Sequence, residues 1–302
     1  MTPKPITDLP ASVRQRLLNR AKAERRPFNE IMQYYAMERF LYRLSKSVHA
    51  HSFVLKGALM LRIWRAPELR PTMDIDMLGM TSNDGIRIAG QIREIIAVAV
   101  EPDGLVFDAE SIKTGRMTRG TDYEGVRVRF LGTLDSARIN MQIDIGFGDT
   151  VFPRPEECEL PTMLDSPAPK ILCYSRETAI AEKFDAMLKH EELNSRMKDF
   201  YDIWLLCRHF NFEGDELAEA VRLTLERRGT ELPSDIVAFT DDFATAQQVY
   251  WTAFLKRLKY TEAPESFAAV TSKLNVFLGP IALSISLRGP TPAKWAAPGP
   301  WA

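Results

Sequence analysis

The stretch TMDIDM, residues 72–77, decides the fold. Apolar and acidic side chains alternate along it, and this period of two is typical of a β-strand. The apolar side chains would enter a core, while Asp74 and Asp76 project together from the opposite face. Two carboxylates a few ångströms apart repel each other unless a cation lies between them. The pair predicts either a metal site or, as the ordinary alternative, a solvated polar strand face.

A second strand with the same alternation follows at residues 137–147, ARINMQIDIGF. Its isoleucine and methionine side chains form one face, and Asn140, Gln142 and Asp144 form the other. If this strand lies beside residues 72–77, Asp144 joins the two earlier carboxylates. Three carboxylates from two strands are the ligands that two Mg²⁺ ions need to hold a triphosphate and activate a hydroxyl group.

Upstream, FVLKGALMLR at residues 53–62 indicates a strand that passes through a turn of small residues into a helix. Gly57 and Ala58 would let backbone N–H groups at the start of the helix approach a phosphate. Lys56 or Arg62 would neutralise the phosphate charge. The GxxxxGK(S/T) pattern of a P-loop is absent from the sequence, so ordinary strand-to-helix packing is the alternative.

Periodicity along the rest of the chain predicts an α+β fold, in which a mixed sheet domain is followed by a helical C-terminal domain. Strands are predicted at residues 52–56, 73–79, 104–113, 124–133 and 137–147. Helices are predicted at residues 10–24, 29–49, 83–99, 175–191, 195–210, 213–229, 238–258 and 264–278.

These patterns divide the chain into successive segments. A basic helical segment is predicted at residues 1–50, a sheet core at 51–152, a Pro-rich crossover without regular structure at 153–169, a helical domain at 170–287 and a Pro-rich tail at 288–302. The last fourteen residues, GPTPAKWAAPGPWA, contain four prolines and are therefore expected as a loose tail.

The composition is that of an ordinary soluble globular chain. Its 302 residues are 45% hydrophobic and 26% charged, which excludes a disordered chain, a collagen and a coiled coil. Three cysteines without a CxxC pair are expected as reduced thiols. No run is expected to approach the roughly 20 apolar residues of a membrane span, and the N-terminus lacks the apolar core of a signal peptide. The chain is therefore expected to act in the cytoplasm, away from membranes.

The net charge of −1 conceals an uneven distribution. Residues 1–50 hold ten Lys and Arg against four Asp and Glu, whereas residues 51–302 hold 29 against 36. The basic segment would support an RNA backbone through phosphate attraction, or it is a solvated helix face. The stretch KTGRMTRG at 113–120 is expected as a basic hairpin tip that contacts RNA or nucleotide, or as a plain turn. The candidate RNA-binding residues are Arg14, Arg16, Arg20, Lys113, Arg116 and Arg119.

Two later helices carry charged residues among bulky apolar ones. In RMKDFYDIWLL the spacing allows Lys198 and Asp202 to pair on one face, with Asp199 nearby. In ETAIAEKFDAM the packing residues leave Lys183 able to reach a polar cleft. On the residues alone these are ordinary helix salt bridges, which contribute little to stability.

Taken in order, these blocks resemble the nucleotidyltransferase superfamily with a DNA polymerase β type of palm. The signature of that superfamily is a Gly-Gly or Gly-Ser turn, then Asp-x-Asp, then a third Asp on a later strand. Within it, the chain is similar to the AbiEii-type toxins of abortive-infection and type IV toxin–antitoxin systems, which include the MenT toxins. The resemblance covers about residues 50–210 and rests on LKGALMLRIW, RPTMDIDML, INMQIDIGFGD, ETAIAEKFDAM and RMKDFYDIWLL. Ala58 departs from it, because the second turn residue is commonly Gly or Ser.

The resemblance implies transfer of a nucleoside monophosphate from a nucleoside triphosphate to an acceptor hydroxyl, with release of pyrophosphate. In MenT-like toxins the acceptor is the 3′ end of tRNA, and its modification blocks translation and growth. A cognate antitoxin protein is the implied partner. Two alternatives stay open: a nucleotidyltransferase that modifies a protein or a small molecule, and a nucleotide-binding regulatory module, which the intact carboxylate set disfavours.

The resemblance also implies roles for individual residues. Asp74 and Asp76 would hold both Mg²⁺ ions, and Asp144 would hold the catalytic one and assist deprotonation of the acceptor. Lys56 and Lys183 would steady the β- and γ-phosphates. The remaining candidates are Gly57, Ala58 and Arg62 for nucleotide binding, and Asp199 and Asp202 for orienting Lys183 or the acceptor.

Overall fold

The computed structural model of the chain describes residues 8–67, 70–118, 124–190, 196–258 and 262–302. They form two compact units. The first comprises the described residues up to Trp64, together with Pro71–Gly148 and Glu156–Cys173. The second comprises the described residues of Arg65–Arg70, Asp149–Pro155 and Tyr174–Ala302. The residues predicted as the crossover are therefore divided between the two units.

The first unit combines helices with a mixed sheet. Its helices are α1 (Leu9–Ala23), α2 (Phe28–Lys46), α3 (Met60–Ile63), which follows a 3₁₀ turn at Gly57–Leu59, and α4 (Gly85–Ile96). Its strands are β1 (Phe53–Lys56), β2 (Ile75–Gly79), β3 (Leu105–Thr118), β4 (Glu124–Leu134), β5 (Ala137–Phe147), β6 (Glu156–Glu159) and β7 (Lys170–Cys173). Within the described residues the strand order is β3-β4-β5-β2-β1-β7-β6, in which β2 pairs with β5, and β1 with β7, in parallel. The other neighbouring strands pair antiparallel.

The core of this unit lies on one face of the sheet, where α2 and α4 contribute apolar side chains. Ile75, Met77, Ile143 and Ile145 are buried there with Ile92 of α4. Because side chains alternate along a strand, the residues between them project from the other face. The alternation that the sequence predicted for both acidic strands is therefore present, and the α+β class is confirmed.

Two local predictions for this unit are wrong. The first acidic strand begins at Ile75 and not at residue 73, so Asp74 precedes it. Lys113 and Arg116 do not lie in a hairpin tip, because β3 continues through both: Lys113 pairs with Arg129 and Arg116 with Val126 of β4. The pairing continues as far as Thr118. Arg119, the third predicted cation of this segment, lies outside the described residues.

The Pro-rich stretch contains more structure than its prolines predicted. Strand β6 fits between Pro155 and Pro161 and pairs antiparallel with β7. The residues after it are bound to α2: Glu38 Oε2 accepts a hydrogen bond from the Met163 N–H at 2.5 Å, and Arg39 Nη2 donates to the Pro167 carbonyl at 2.6 Å. Prolines exclude a continuous helix here, but these side chains of α2 satisfy the irregular backbone.

The buried carboxyl group of Glu38 should make the free energy of unfolding depend on pH. Burial raises the pKa of Glu38 to about 7, even though Arg39, the Met163 N–H and Arg62 oppose the shift. Between pH 4.5 and 7 the folded chain therefore holds a proton that the unfolded chain has lost, so this contribution is full below pH 4.5 and is lost as the pH rises through 7. We expect a loss of roughly 1–3 kcal/mol, measured by urea unfolding across this range.

Glu38→Gln should abolish that decline, while the same substitution at the exposed Glu110 should keep it. A decline of equal size in Glu38→Gln would show that another group is responsible. Asp202, whose pKa is lowered to about 2, affects the free energy of unfolding in a different pH range. Its contribution to stability is lost only as the pH falls below 4.

The second unit is mainly helical, as predicted for the C-terminal half. Its helices are α5 (Arg176–His190), α6 (Met197–His209), α7 (Gly214–Arg228), α8 (Asp241–Leu258) and α9 (Phe267–Leu287), and its strands are β8 (Phe212–Glu213) and β9 (Lys294–Trp295). An aromatic cluster fills its core, in which the Phe200 and Phe267 ring centroids lie 5.1 Å apart and those of Trp251 and Phe267 lie 5.3 Å apart.

Helix α9 corrects the expectation about apolar runs, because it is long and apolar enough to cross a membrane by length and composition. Its sequence includes Lys273 and Pro280, and because these residues interrupt the apolar run, the run was not predicted. Phe267, Leu274 and Phe277 on one side of it are fully buried. This side of α9 therefore lies in the interior of the second unit, as one side of a central helix does in a globular protein.

The loose tail expected at residues 289–302 is wrong. Strand β9 pairs with β8, and Trp295 is fully buried. The Trp295 indole N–H donates to the Cys207 carbonyl at 2.6 Å, and the ring lies 4.8 Å from that of Phe277. Trp301 stacks on the same Phe277 ring, with the two ring centroids 5.6 Å apart. Prolines exclude a helix but not an extended segment whose tryptophans enter a core.

Trp295→Ala should lower the free energy of unfolding by about 3–5 kcal/mol, because it removes a buried indole and leaves the Cys207 carbonyl without its donor. Urea unfolding followed by circular dichroism measures this change. The neighbouring Lys294 provides the control, since its ion pair with Glu213 is exposed and Lys294→Ala should cost less than about 1 kcal/mol. A loss equally small for Trp295→Ala would mean that the tail does not contribute to the core.

Candidate active site

One row of charged residues crosses four neighbouring strands of the first unit. The strand register places Lys56 of β1 opposite Asp76 of β2, Asp76 opposite Asp144 of β5, and Asp144 opposite Arg127 of β4. Residues opposite each other project from the same face of a sheet. The row therefore has two carboxylates side by side at its centre and a cationic residue at each end.

Asp74 completes a carboxylate triad with Asp76 and Asp144. One oxygen from each residue lies within 4.8 Å of the other two. Asp144 is buried, and the other two are partly exposed, so the triad is open from one side. An all-oxygen, anionic donor set of this kind suits Mg²⁺ or Mn²⁺ in preference to softer metals. The residues therefore fit the divalent metal that the sequence predicted at this point.

Gly57 lets the turn after β1 approach the triad. Its φ is +74°, a left-handed conformation that a side chain strains. A Cβ added there would lie 2.1 Å from Asp76 Oδ2 and 2.7 Å from Asp76 Cβ. The space beside the Asp76 carboxylate thus exists only because residue 57 is glycine. Ala58, the departure from the family turn, is buried in the 3₁₀ turn that follows.

Arg127 holds Asp144 in a bidentate ion pair. Arg127 Nε donates to Asp144 Oδ1 at 2.8 Å, and Nη2 donates to Oδ2 at 2.6 Å. The hydrogen bond to Asp144 raises the pKa of Arg127, and Asp74 and Asp76 add to the shift. The guanidinium fixes the orientation of the buried carboxylate. Arg127 is absent from the predicted site, since alternation placed it on a polar face without showing which residue of β5 it meets.

Helix α2 positions the residues before Asp74. Gln33 Nε2 donates to the Met73 carbonyl at 3.0 Å and to the Asn140 carbonyl at 3.1 Å, which joins the entry to β2 with β5. The Tyr34 hydroxyl accepts from the Thr72 N–H at 3.2 Å. Thr72 Oγ1 in turn donates to Asp74 Oδ1 at 2.6 Å. These contacts fix the position of the Asp74 carboxylate, and no local sequence pattern predicted them.

Arg62, which the sequence predicted as a nucleotide contact, has its neighbours in α2 and in the segment after β6. Its guanidinium lies 4.9 Å from the centre of the Tyr34 ring, and Nη2 lies 3.1 Å from Met163 Sδ. Burial lowers the pKa of Arg62, although Tyr34 and Glu38 oppose the shift. These contacts assign Arg62 to packing between α2 and the segment after β6.

The arginines of α1 are engaged within the first unit. Arg16 pairs with Asp165 at 2.7 Å, Arg20 pairs with Glu24 at 2.5 Å and also donates to the Met163 carbonyl, and Arg14 lies 4.0 Å from Asp135. Carboxylates distant in the chain, Asp135 and Asp165, therefore meet part of the basic excess that the sequence shows in residues 1–50.

A second polar cluster lies in the second unit and contains the predicted Lys183, Asp199 and Asp202. Lys183 Nζ lies 3.1 Å from Asp199 Oδ1 and 2.8 Å from Asp202 Oδ2. Burial lowers the pKa of Lys183, but attraction to Asp202 and Asp199 outweighs it and the pKa is raised. The lysine is therefore a permanent cation whose charge two aspartates share.

Arg70 and Arg196 also belong to this cluster, and no sequence pattern predicted either of them. Arg196 Nε lies 2.6 Å from Asp199 Oδ2. Arg70 contacts Asp202. Its Nε and Nη2 donate to the two carboxylate oxygens of Asp202 at 2.8 and 3.0 Å. Burial raises the pKa of Asp202, but Arg70 and Lys183 outweigh it and lower the value to about 2. The predicted Lys198–Asp202 pair is wrong: Lys198 is exposed, and Arg70 and Lys183 occupy both oxygens of Asp202.

Comparisons with known proteins give the family. The family model described as nucleotidyl transferase AbiEii toxin, type IV toxin–antitoxin system, matches residues 39–273. No curated protein matches the chain significantly.

Among solved structures, the nucleotidyltransferase toxin MenT4 from Mycobacterium tuberculosis is 16% identical, with 93% of this chain and 99% of that chain covered and a TM-score of 0.49. JHP933 from Helicobacter pylori is 15% identical, with 91% and 95% covered and a TM-score of 0.44. The family match covers more than half of the chain, including the triad, Arg127 and the Lys183 cluster. The chain therefore belongs to the AbiEii nucleotidyltransferase toxin family of type IV toxin–antitoxin systems and is a nucleotidyltransferase by that membership.

Proposed function

We propose that this protein transfers a nucleoside monophosphate from a nucleoside triphosphate to the 3′ end of tRNA in a Mg²⁺-dependent reaction that blocks translation and growth. The observation that carries the proposal is the convergence of Asp74, Asp76 and Asp144 within 4.8 Å beside the Gly57 turn. The proposed place of action is the cytoplasm, and a cognate antitoxin is the proposed protein partner.

The carboxylates have distinct proposed roles. Asp74 and Asp76 would be ligands of both metal ions, and Asp144 would bind the one at the acceptor and receive the hydroxyl proton. Bound Mg²⁺ would supply charge neutralisation for the triphosphate and lower the pKa of the attacking hydroxyl. Arg127 supports the assignment of Asp144, because its two hydrogen bonds orient the buried carboxylate.

The proposed phosphate contacts are Lys56 and Lys183. The position of Lys56 in the sheet supports its proposed role, because Lys56 lies directly opposite Asp76 and next to the Gly57 turn. The role of Lys183 rests on the family motif, with Asp199, Asp202 and Arg70 as the groups that orient it. Backbone N–H groups after Gly57 are the proposed third contact to phosphate.

Incubation of the purified protein with Mg²⁺, each α-labelled nucleoside triphosphate and total tRNA tests the acceptor. Label on the 3′ end of tRNA that disappears when the metal is chelated is the expected result. Label on a protein or a small molecule, with tRNA unlabelled, would contradict the tRNA assignment and favour the alternative acceptors. Nucleotide binding without any transfer would favour a regulatory module.

A further inference from the structure

The polar face of β5 continues well beyond Asp144. Arg138, Asn140, Gln142 and Asp144 alternate with buried Ile139, Met141 and Ile143, so all four project away from the core. Arg138 and Asn140 are exposed. Six residues at about 3.3 Å each separate Arg138 from Asp144, so this line runs about 20 Å outward from the triad.

The neighbouring strands add cations to the same face. The register places Arg129 of β4 opposite Gln142, and Lys113 of the edge strand β3 opposite Arg129. Arg129 Nε donates to Gln142 Oε1 at 3.1 Å, which holds the guanidinium over the sheet. Two like charges directly opposite each other destabilise a sheet. The repulsion between Lys113 and Arg129 therefore destabilises the folded chain, and an anionic ligand at this place would relieve it.

These cations differ from the arginines of α1 in their partners. Within residues 8–67, 70–118, 124–190, 196–258 and 262–302, no carboxylate lies within ion-pair distance of Lys113, Arg129 or Arg138. Arg14, Arg16 and Arg20, by contrast, each contact a carboxylate or a carbonyl. Lys22 of α1 and Arg25 just after it also have no carboxylate at ion-pair distance among the described residues, but Lys113, Arg129 and Arg138 differ from them in lining a groove that includes Asp74.

An open groove of about 790 Å³ follows this face and includes Asp74 of the triad. Amide, hydroxyl and cationic side chains supply most of its polar lining, and Met32 and Met73 supply apolar surface beside them. Met73 is 49% exposed although it is adjacent to Asp74 in the chain. The polar lining residues are Asn29, Gln33, Ser111, Lys113, Arg129, Arg138, Asn140 and Gln142.

The spacing of the charges indicates the shape of the ligand. Arg138 lies four residues along β5 from Gln142, the partner of Arg129, which is about 13 Å. The phosphates of one nucleotide cannot span that distance, but successive phosphates of an extended strand can. The amides and the exposed Met73 suit sugars and bases that a single strand presents between its phosphates.

We propose that the polar face of β3, β4 and β5 binds the terminal single-stranded nucleotides of the acceptor RNA, with Lys113, Arg129 and Arg138 contacting its backbone phosphates and its last hydroxyl at the Asp74 end of the groove. This inference rests on the proposed function, since it assigns a binding surface to the RNA acceptor. Arg129 and Arg138 are new members of the site, and Lys113 enters it as a strand residue.

The test is the variant Lys113→Gln/Arg129→Gln/Arg138→Gln, with total tRNA and a short single-stranded oligoribonucleotide as probes. We expect the Kd for both probes to rise at least 10-fold. Each lost phosphate contact should flatten the dependence of log K on log salt by about 0.7, so the triple variant should lose about 2 from the slope. The KM for the nucleoside triphosphate should stay unchanged. Each single variant should show about one third of the slope change, which keeps the test available if the triple variant is unstable.

The matched control removes three exposed cations elsewhere, as Arg87→Gln/Arg93→Gln/Arg257→Gln, and should leave the salt slope unchanged. An unchanged Kd and slope in the sheet variants, with wild-type transfer to tRNA intact, would overturn this inference alone. Absence of tRNA binding and transfer in the wild-type protein would overturn it together with the proposed function. Equal displacement of RNA by polyglutamate at the same ionic strength, or a raised KM for the nucleoside triphosphate in the triple variant, would reassign the face to an acidic protein or to the nucleotide.

Discussion

Replacing Gly57 with alanine should lower kcat/KM for nucleotidyl transfer by about 100-fold or more. The new Cβ would lie 2.1 Å from Asp76 Oδ2, so the carboxylate or the turn must move by about 1 Å to restore van der Waals contact. The left-handed φ of +74° adds backbone strain. A displacement of about 1 Å at a reacting centre is sufficient for a 100-fold loss. Steady-state transfer of label from an α-labelled triphosphate measures the effect.

Gly115→Ala is the matched control for this prediction. Gly115 lies on β3 directly opposite Arg127, yet nothing lies within 4 Å of a Cβ added there. Its substitution should leave kcat/KM within about 2-fold of the wild-type value. Wild-type activity in Gly57→Ala would mean that the close approach of the turn to Asp76 has no part in the reaction.

Asp76→Asn should reduce kcat/KM by about 1000-fold or more, which is the largest effect expected in this protein. Asp76 is one of the two central members of the charged row, because it lies opposite both Lys56 and Asp144. Asparagine keeps its shape but removes the charge that would hold a divalent cation, so transition-state charge at the phosphate loses its compensation. The same variant should lose any increase in melting temperature that Mg²⁺ gives to the wild-type protein.

Asp108→Asn provides the control, since Asp108 is an exposed carboxylate on β3 that is not part of the triad. It should retain both the activity and the response of the melting temperature to Mg²⁺. If Asp76→Asn kept that response while its activity was lost, the metal site would have to lie elsewhere.

Two members of the carboxylate triad, Asp76 and Asp144, were accessible from the sequence because the sheet face that each takes depends on parity. In the two acidic strands apolar residues alternate with polar ones, so Asp76 and Asp144 had to project from the polar face. The pairing of β2 with β5, in the register that places Asp76 opposite Asp144, is seen only in the packed sheet.

Arg127 and Arg70 were not accessible in the same way. Arg127 meets Asp144 only because β4 and β5 pair in one register, and a shift of one residue would turn it to the core face. Arg70 reaches Asp202 across more than a hundred residues of sequence, and no local rule selects such a partner. Register and long-range ion pairs depend on the packed structure, whereas alternation does not.

The tail and the basic helix show what composition alone leaves out. Four prolines indicated a loose segment at residues 289–302, but Trp295 is buried and determines its place. The excess of arginine in residues 1–50 predicted an RNA surface or a solvated helix face, and it could not show that Arg16 pairs with the distant Asp165. The cations that line the groove beside Asp74 come from strands whose local sequence is close to neutral.

Parallel assays with α-labelled and γ-labelled nucleoside triphosphate test the central claim most directly, with wild-type protein and Asp144→Asn each incubated with Mg²⁺ and total tRNA. The account predicts that the α label enters tRNA, that the γ label leaves as pyrophosphate, and that Asp144→Asn transfers neither. Transfer of the γ label to the acceptor, or undiminished transfer by Asp144→Asn, would contradict it.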